Sequence, residues 1–176
     1  MKFGLIDSII ELTRGKRIVA VKAVTLAEEY LGDHFPTFPI LPGVLMLQAM
    51  VEAASWLVRD AQDFASSIVL LREAKNVTYR SFVKPGNLLT LVVTCRRLAP
   101  TDSDFEGYGH CNQNEAVRAR FGLVHFALAP RDSSLAAVDE RLRAEARTRF
   151  TLLRPCPAAP AAGGSPVPAR APVSGE

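Results

Sequence analysis

Asp33-His34-Phe35-Pro36-Thr37-Phe38-Pro39-Ile40-Leu41-Pro42-Gly43-Val44-Leu45 runs without a break into Met46-Leu47-Gln48-Ala49-Met50-Val51-Glu52-Ala53-Ala54-Ser55-Trp56-Leu57. The first half reads as a stiff loop. Pro36, Pro39 and Pro42 each fix φ and remove a backbone donor, so neither a strand nor a helix interior accommodates them. The second half reads as a helix over residues 43–59. Proline is tolerated in a first helical turn, where its missing N–H has no partner to lose, so Pro42-Gly43 marks the start. Apolar residues cover almost the whole circumference of that helix, and a helix apolar all round is a buried one. His34 therefore sits on a rigid loop beside the positive end of a buried helix dipole.

The flanking sequence supplies a sheet. Residues 5–12 and 16–24 are β-rich runs separated by Thr13-Arg14-Gly15, a hairpin signal. Residues 25–30 suggest a short helical turn with Thr25 as N-cap. Further β-type runs lie at 67–74, 77–82, 88–97, 106–112 and 116–128. Val83-Lys84-Pro85-Gly86-Asn87 and residues 101–104 read as turns between them. One buried helix early, then successive antiparallel strands, predicts an α+β domain with a sheet wrapped round a central helix. Its expected extent is 1–130. Residues 133–150 form a second helical pattern, with Leu135, Val138, Leu142, Ala146 and Phe150 on one face, so 131–154 is expected to be an appended helix. Residues 155–176 are mostly Pro, Ala, Gly and Ser and are expected to be a disordered tail.

Composition narrows the function classes. The chain has 176 residues and a formal net charge of +3. Its Lys and Arg are dispersed, with no basic block interleaved with aromatics, which argues against nucleic acid as partner. Cys95, Cys111 and Cys156 have no metal-ligand spacing and read as reduced thiols of a cytoplasmic protein. No metal or other cofactor is implied. The N-terminus lacks the features of a signal peptide. Gln48 and Glu52 interrupt the longest apolar run, so no membrane span is expected.

Three features could carry chemistry. His34 is presented by the stiff loop. Gln48, Glu52, Ser55 and Arg59 fall at spacings of four, three and four, on one stripe of the helix. Ser55 and Arg59 read as a solvated face. Gln48 and Glu52 lie in the first turns, where a carboxylate near a histidine could form a general acid–base pair. Gly43 either eases the turn or offers its backbone N–H to a carbonyl oxygen that gains charge during reaction.

His34-Phe35-Pro36-x-x-Pro39-Ile40-x-Pro42-Gly43-Val44-Leu45 closely resembles the signature of the β-hydroxyacyl-[acyl-carrier-protein] dehydratases of the FabZ type. Leu5-Ile6-Asp7 with Gly15-Lys16-Arg17-Ile18-Val19-Ala20 looks like that family's first hairpin. Tyr79-Arg80-x-Phe82-Val83-x-Pro85-Gly86-Asn87-x-Leu89 looks like its later strand–turn signature. The resemblance covers roughly residues 3–128. It implies a hot-dog fold, a dimer with sites at the subunit interface, and an acyl carrier protein bearing the acyl thioester as partner. It implies that His34 removes a proton from C2 of a 3-hydroxyacyl thioester and that the Gly43 N–H polarises the thioester carbonyl. Phe35, Pro42 and Val44 would border the substrate.

The helix half departs from that pattern. The family reads Glu-Ala-Met-Ala-Gln where this chain reads Gln48-Ala49-Met50-Val51-Glu52. In the family that first glutamate, on the other subunit's helix, protonates the departing C3 hydroxyl. An amide cannot donate a proton as a general acid at neutral pH, and Glu52 lies one turn on, about 5.4 Å away. Asp33 and Thr37 also stand where the family tends to have glycine. Three readings follow. One is a dehydratase of fatty acid or polyketide-type biosynthesis, with His34 as base and Gln48 orienting the hydroxyl or a water. Another is a hot-dog thioesterase in which Glu52 could be the base. The last is a heterodimeric subunit that lends His34 to a glutamate-bearing partner, or a module that binds the carrier without catalysis; the partner subunit is thus another copy of this chain or a related one.

Overall fold

A computed structural model describes residues 4–154. The elements are β1 (Ser8–Thr13), β2 (Arg17–Ala23), α1 (Tyr30–Asp33), α2 (Gly43–Ala61), β3 (Ile68–Tyr79), β4 (Leu88–Leu98), β5 (Asp102–Cys111), β6 (Asn114–Phe126) and α3 (Ala136–Leu153). The strands form one six-stranded sheet in the order β1-β2-β4-β5-β6-β3, and every neighbouring pair is antiparallel. The sheet wraps round α2, as the α+β hot-dog reading expects. The proposed tail at 155–176, with Cys156, lies outside the described residues.

The core forms where α2 meets the sheet. Met50, Ala53, Ala54, Leu57 and Val58 on the helix are fully buried, as are Leu89, Leu91 and Val93 of β4 and Leu123 of β6. Gly107 of β5 makes this approach possible. A Cβ there would come within 3.0 Å of Met50 Sδ and 3.2 Å of a Val93 methyl, closer than packed atoms tolerate.

Local boundaries differ from the expectations where tertiary pairing overrides composition. The two runs at 67–74 and 77–82 are one long strand, β3, with a register shift between Lys75 and Thr78 and Asn76 at φ 52°. An irregularity of this kind looks like a break in the sequence although the strand continues through it. Residues 101–104, expected as a turn, mostly belong to β5. Their aspartates are held in register by arginines across the sheet: Arg97 bonds Asp104 at 2.7 Å and Arg72 bonds Asp104 at 2.9 Å. The turn expected at 25–30 does not use Thr25 as a helix cap. α1 starts at Tyr30, preceded by Glu29 without a side-chain cap.

The appended helix α3 lies against the domain as its apolar face predicts. Phe150 stacks on Trp56 with ring centroids 6.0 Å apart and meets Phe64 edge-on at 5.4 Å. Asp139 is 1 % exposed. Its carboxylate accepts the Leu128 N–H at 2.7 Å and pairs with Arg143 at 3.2 Å. α3 overturns one expectation: Ser55 and Arg59 are not on a solvated face. Ser55 is buried, and both residues line a groove that α3 borders.

Candidate functional site

The loop carrying His34 is positioned from below by charge. Lys22 of β2 is 5 % exposed. Its ammonium reaches Glu28 at 2.6 Å and Asp7 at 3.4 Å, and the other Asp7 oxygen accepts the Ala23 N–H at 2.6 Å. Burial lowers the Lys22 pKa, but these two carboxylates together hold it above its ordinary value. Tyr30, the first residue of α1, is pushed up to about 12 by burial and by the negative charge of Glu28 and Asp7. This cluster fixes residues 25–33 on the sheet, so the chain leaves α1 at His34 in a set direction. Further along, the Leu41 N–H donates to the Val83 carbonyl at 2.8 Å, tying the proline loop to the 83–87 turn.

His34 and Gly43 come together in one cavity of about 540 Å³, with Phe35, Met46, Tyr79 and Phe82 on its walls. Phe35 has φ 53°, an unusual conformation for a bulky residue and one that concentrates at functional sites. Its ring meets the His34 imidazole edge-on, centroids 4.5 Å apart. At the helix start, a Cβ on Gly43 would lie 3.1 Å from the Tyr79 ring. The absent side chain thus lets an aromatic wall close over the first turn. Among the described residues the Gly43 and Val44 amides have no acceptor, since the helix ladder opens with Leu45 and Met46 donating to the Pro42 carbonyl. Such orphan donors at a helix N-terminus suit a developing oxyanion. Burial raises the Tyr79 phenol. Val44 is 67 % exposed, and it and Pro42 flank Gly43 without lining the cavity.

Gln48 and Glu52 lie elsewhere in the same chain. They line a second cavity of about 360 Å³ between α2 and α3. Glu52 is engaged there: one oxygen accepts the Leu5 N–H at 2.7 Å and the other pairs with Arg149 of α3 at 2.9 Å. A single chain therefore assembles His34 with Gly43 and keeps Gln48 and Glu52 apart from them. Lys22 and Arg149 carry no site reading in the sequence, and Tyr79 stands there only as part of the strand–turn signature. A lysine among β-branched residues, with Asp7 upstream and Glu28 downstream, is a faint signal for the first. The pairing of Arg149 with a residue 97 positions away leaves no local signal. His125 is fully buried against Ser103, its Nε2 2.8 Å from the hydroxyl oxygen, and His110 is on β5. Neither lines the His34 cavity.

A family model described as a FabA-like domain matches residues 1–113. The 3-hydroxyacyl-[acyl-carrier-protein] dehydratase FabZ of Variovorax paradoxus is 36 % identical over 108 residues, 60 % of this chain and 72 % of that protein. The protein of the same name from Rhizorhabdus wittichii is 37 % identical over 119 residues, 66 % of this chain and 76 % of that one. Among solved structures, the dehydratase heterocomplex ApeI:P from Xenorhabdus doucetiae superposes with a TM-score of 0.57 at 17 % identity, covering 69 % of this chain and 82 % of that one. The PaaI protein of the E. coli phenylacetic acid degradation operon does so with a TM-score of 0.52 at 11 % identity, covering 68 % and 79 %. These structural likenesses establish the fold, and α3 lies beyond the matched family region.

Proposed function

This chain belongs to the FabA-like domain family, and we propose that it is a hydro-lyase that removes water from 3-hydroxyacyl-[acyl-carrier-protein] thioesters. The product is the trans-2-enoyl thioester of fatty acid or polyketide-type biosynthesis. The observation that carries this reading is the His34 cavity: a base and an unpaired helix-start amide face one apolar space. In this mechanism the Gly43 N–H bonds the thioester oxygen, which gains negative charge as His34 takes the proton from C2. The C2 electron pair forms the new double bond and the C3–O bond breaks. The hydroxyl leaves as water, taking its proton from the His34 imidazolium or through a water held by Gln48. The amide positions and does not donate as an acid.

Gln48 belongs to this reaction through a second subunit. β3 is an edge strand, and Leu70, Leu71 and Tyr79 on it are exposed. Such an edge is a template for pairing with another copy or a related chain. In that pair Gln48 of one subunit would approach His34 of the other. A heterodimer with a glutamate-bearing relative is the second reading, favoured by the amide at position 48. No helix of the described residues is long and apolar enough to cross a membrane, and a cytoplasmic location fits a carrier-protein substrate.

The test is turnover of 3-hydroxybutyryl- and crotonyl-carrier protein by the purified chain, following the double bond and free thiol together. Double-bond formation that disappears in His34→Ala supports the dehydratase. Thiol release without it would move the assignment to a thioesterase. Silence relieved by adding a glutamate-bearing homologue would support the heterodimer.

A further inference from the structure

The stripe Gln48, Glu52, Ser55 and Arg59 leads away from the candidate site along α2. Eleven residues separate its ends, about 16 Å at the helical rise. α3 roofs this stripe, so the cavity has Gln48 at one end, Arg59 at the other, and Leu142 and Ala146 on the covering wall. An acyl chain reacting at Gln48 has this trough to enter.

The far end of the trough holds a cation that no carboxylate of the described residues bonds directly, although the charge of Glu52 reaches it. Two guanidiniums converge on Trp56, Arg59 at 5.4 Å and Arg149 at 5.9 Å from its ring. Glu52 bonds Arg149 and the Leu5 amide, so among the described residues it helps Arg59 by charge at a distance and not by a direct ion pair. The Arg59 hydrogen bond there is a long one, 3.4 Å to the Ser67 carbonyl, and its Nε has no partner. The Trp56 indole N–H, on a residue 5 % exposed, also lacks an acceptor. Glu145 on the α3 wall is engaged in contacts of its own. A half-buried guanidinium with one long hydrogen bond and no bonded carboxylate is costly, and a hydrocarbon chain laid against it would deepen the cost. A carboxylate would relieve it with a bidentate, charge-assisted pair.

We propose that the trough between α2 and α3 selects 3-hydroxyacyl chains whose far end bears a carboxylate, with Arg59 as its anchor. This rests on the dehydratase reading for the position of the thioester, and it names the substrate class of that site. α3, which supplies the covering wall, lies outside the family match at residues 1–113, whereas Arg59 lies within it on α2.

The experiment uses carrier proteins loaded with 3-hydroxyacyl chains of about ten carbons, ending in a methyl or in a carboxylate. The wild-type chain is expected to favour the carboxylate-ended substrate at least about tenfold in kcat/KM. Arg59→Met should bring the ratio near one, and Arg59→Lys should keep part of it, with melting curves checking that both variants fold. Equal or better turnover of the methyl-ended chain by wild type overturns the proposal. A second arm is independent of turnover: calorimetric binding of saturated N-acetylcysteamine thioesters with the same two ends. If neither hydroxyacyl substrate is dehydrated, the reaction assignment fails and this arm decides the pocket alone. Preferential binding of the carboxylate-ended thioester that is lost in Arg59→Met sustains the inference, and indifference to the end group overturns it.

Discussion

Glu52 of the central helix and Arg149 of the appended helix are paired at 2.9 Å, while the second Glu52 oxygen accepts the Leu5 N–H at 2.7 Å. One carboxylate thus ties three segments of the chain together. A group held from both sides is poorly placed to move a proton in the His34 cavity. Glu52→Gln is expected to cost about 1–3 kcal/mol, the range for losing hydrogen bonds to a charged group, read as a lower urea midpoint. Dehydration of a short 3-hydroxyacyl substrate should fall much less than in His34→Ala. A loss of activity as deep as that of His34→Ala, in a variant that still folds at wild-type stability, would return Glu52 to the chemistry.

Gln48 leads to the opposite expectation. If the amide stands where an acid would speed departure of the hydroxyl, Gln48→Glu should raise kcat by about 10²–10⁴-fold, the usual worth of general acid catalysis. The gain should appear as a new limb in the pH–rate profile, with activity falling as the introduced carboxyl ionises. An unchanged or reduced rate would mean that the C3 hydroxyl does not meet residue 48.

The fold was legible because its decisive residues act locally. Pro36, Pro39, Pro42 and Gly43 punctuate the chain wherever they occur, and the apolar circumference of 43–59 forces burial without reference to a partner. The loop half of the site shared that property: His34 and Gly43 are nine residues apart and meet across a single stiff loop. Arg59 was misread because its environment is made by residues 142–149, some ninety positions later. The same distance hid Arg149 from Glu52. The sequence suggests a strand break at 75–76 because Asn76 looks like a turn residue, and only pairing with β6 carries β3 through it.

Gly43 is held open by packing as well as by chemistry. A methyl group there would sit 3.1 Å from Cδ1 and Cε1 of Tyr79, so either the ring or the helix start must shift. Gly43→Ala is expected to destabilise the fold by about 1–3 kcal/mol, as overpacking does, and to lower kcat by displacing the Gly43 amide. Adding Tyr79→Ala should restore much of the lost stability in a double-mutant cycle. A cycle with no coupling between the two positions would leave the Gly43 effect without the steric cause argued for it.

His125 sets an acid limit on the fold. It is fully buried on β6, with Nε2 2.8 Å from the buried Ser103 hydroxyl, and burial pushes its pKa below the ordinary histidine value. The folded state therefore prefers the neutral ring, while the unfolded chain binds a proton below about pH 6.5. The sign follows from linkage: stability is complete above the unfolded value and is lost as pH falls from there toward the lower folded value. Urea midpoints measured from pH 8 to pH 5 should be flat at first and then decline in this window. His125→Gln, which cannot take up the proton, should lower stability overall but flatten the decline. A slope that survives unchanged in that variant would assign the acid sensitivity to other groups and leave His125 as packing alone.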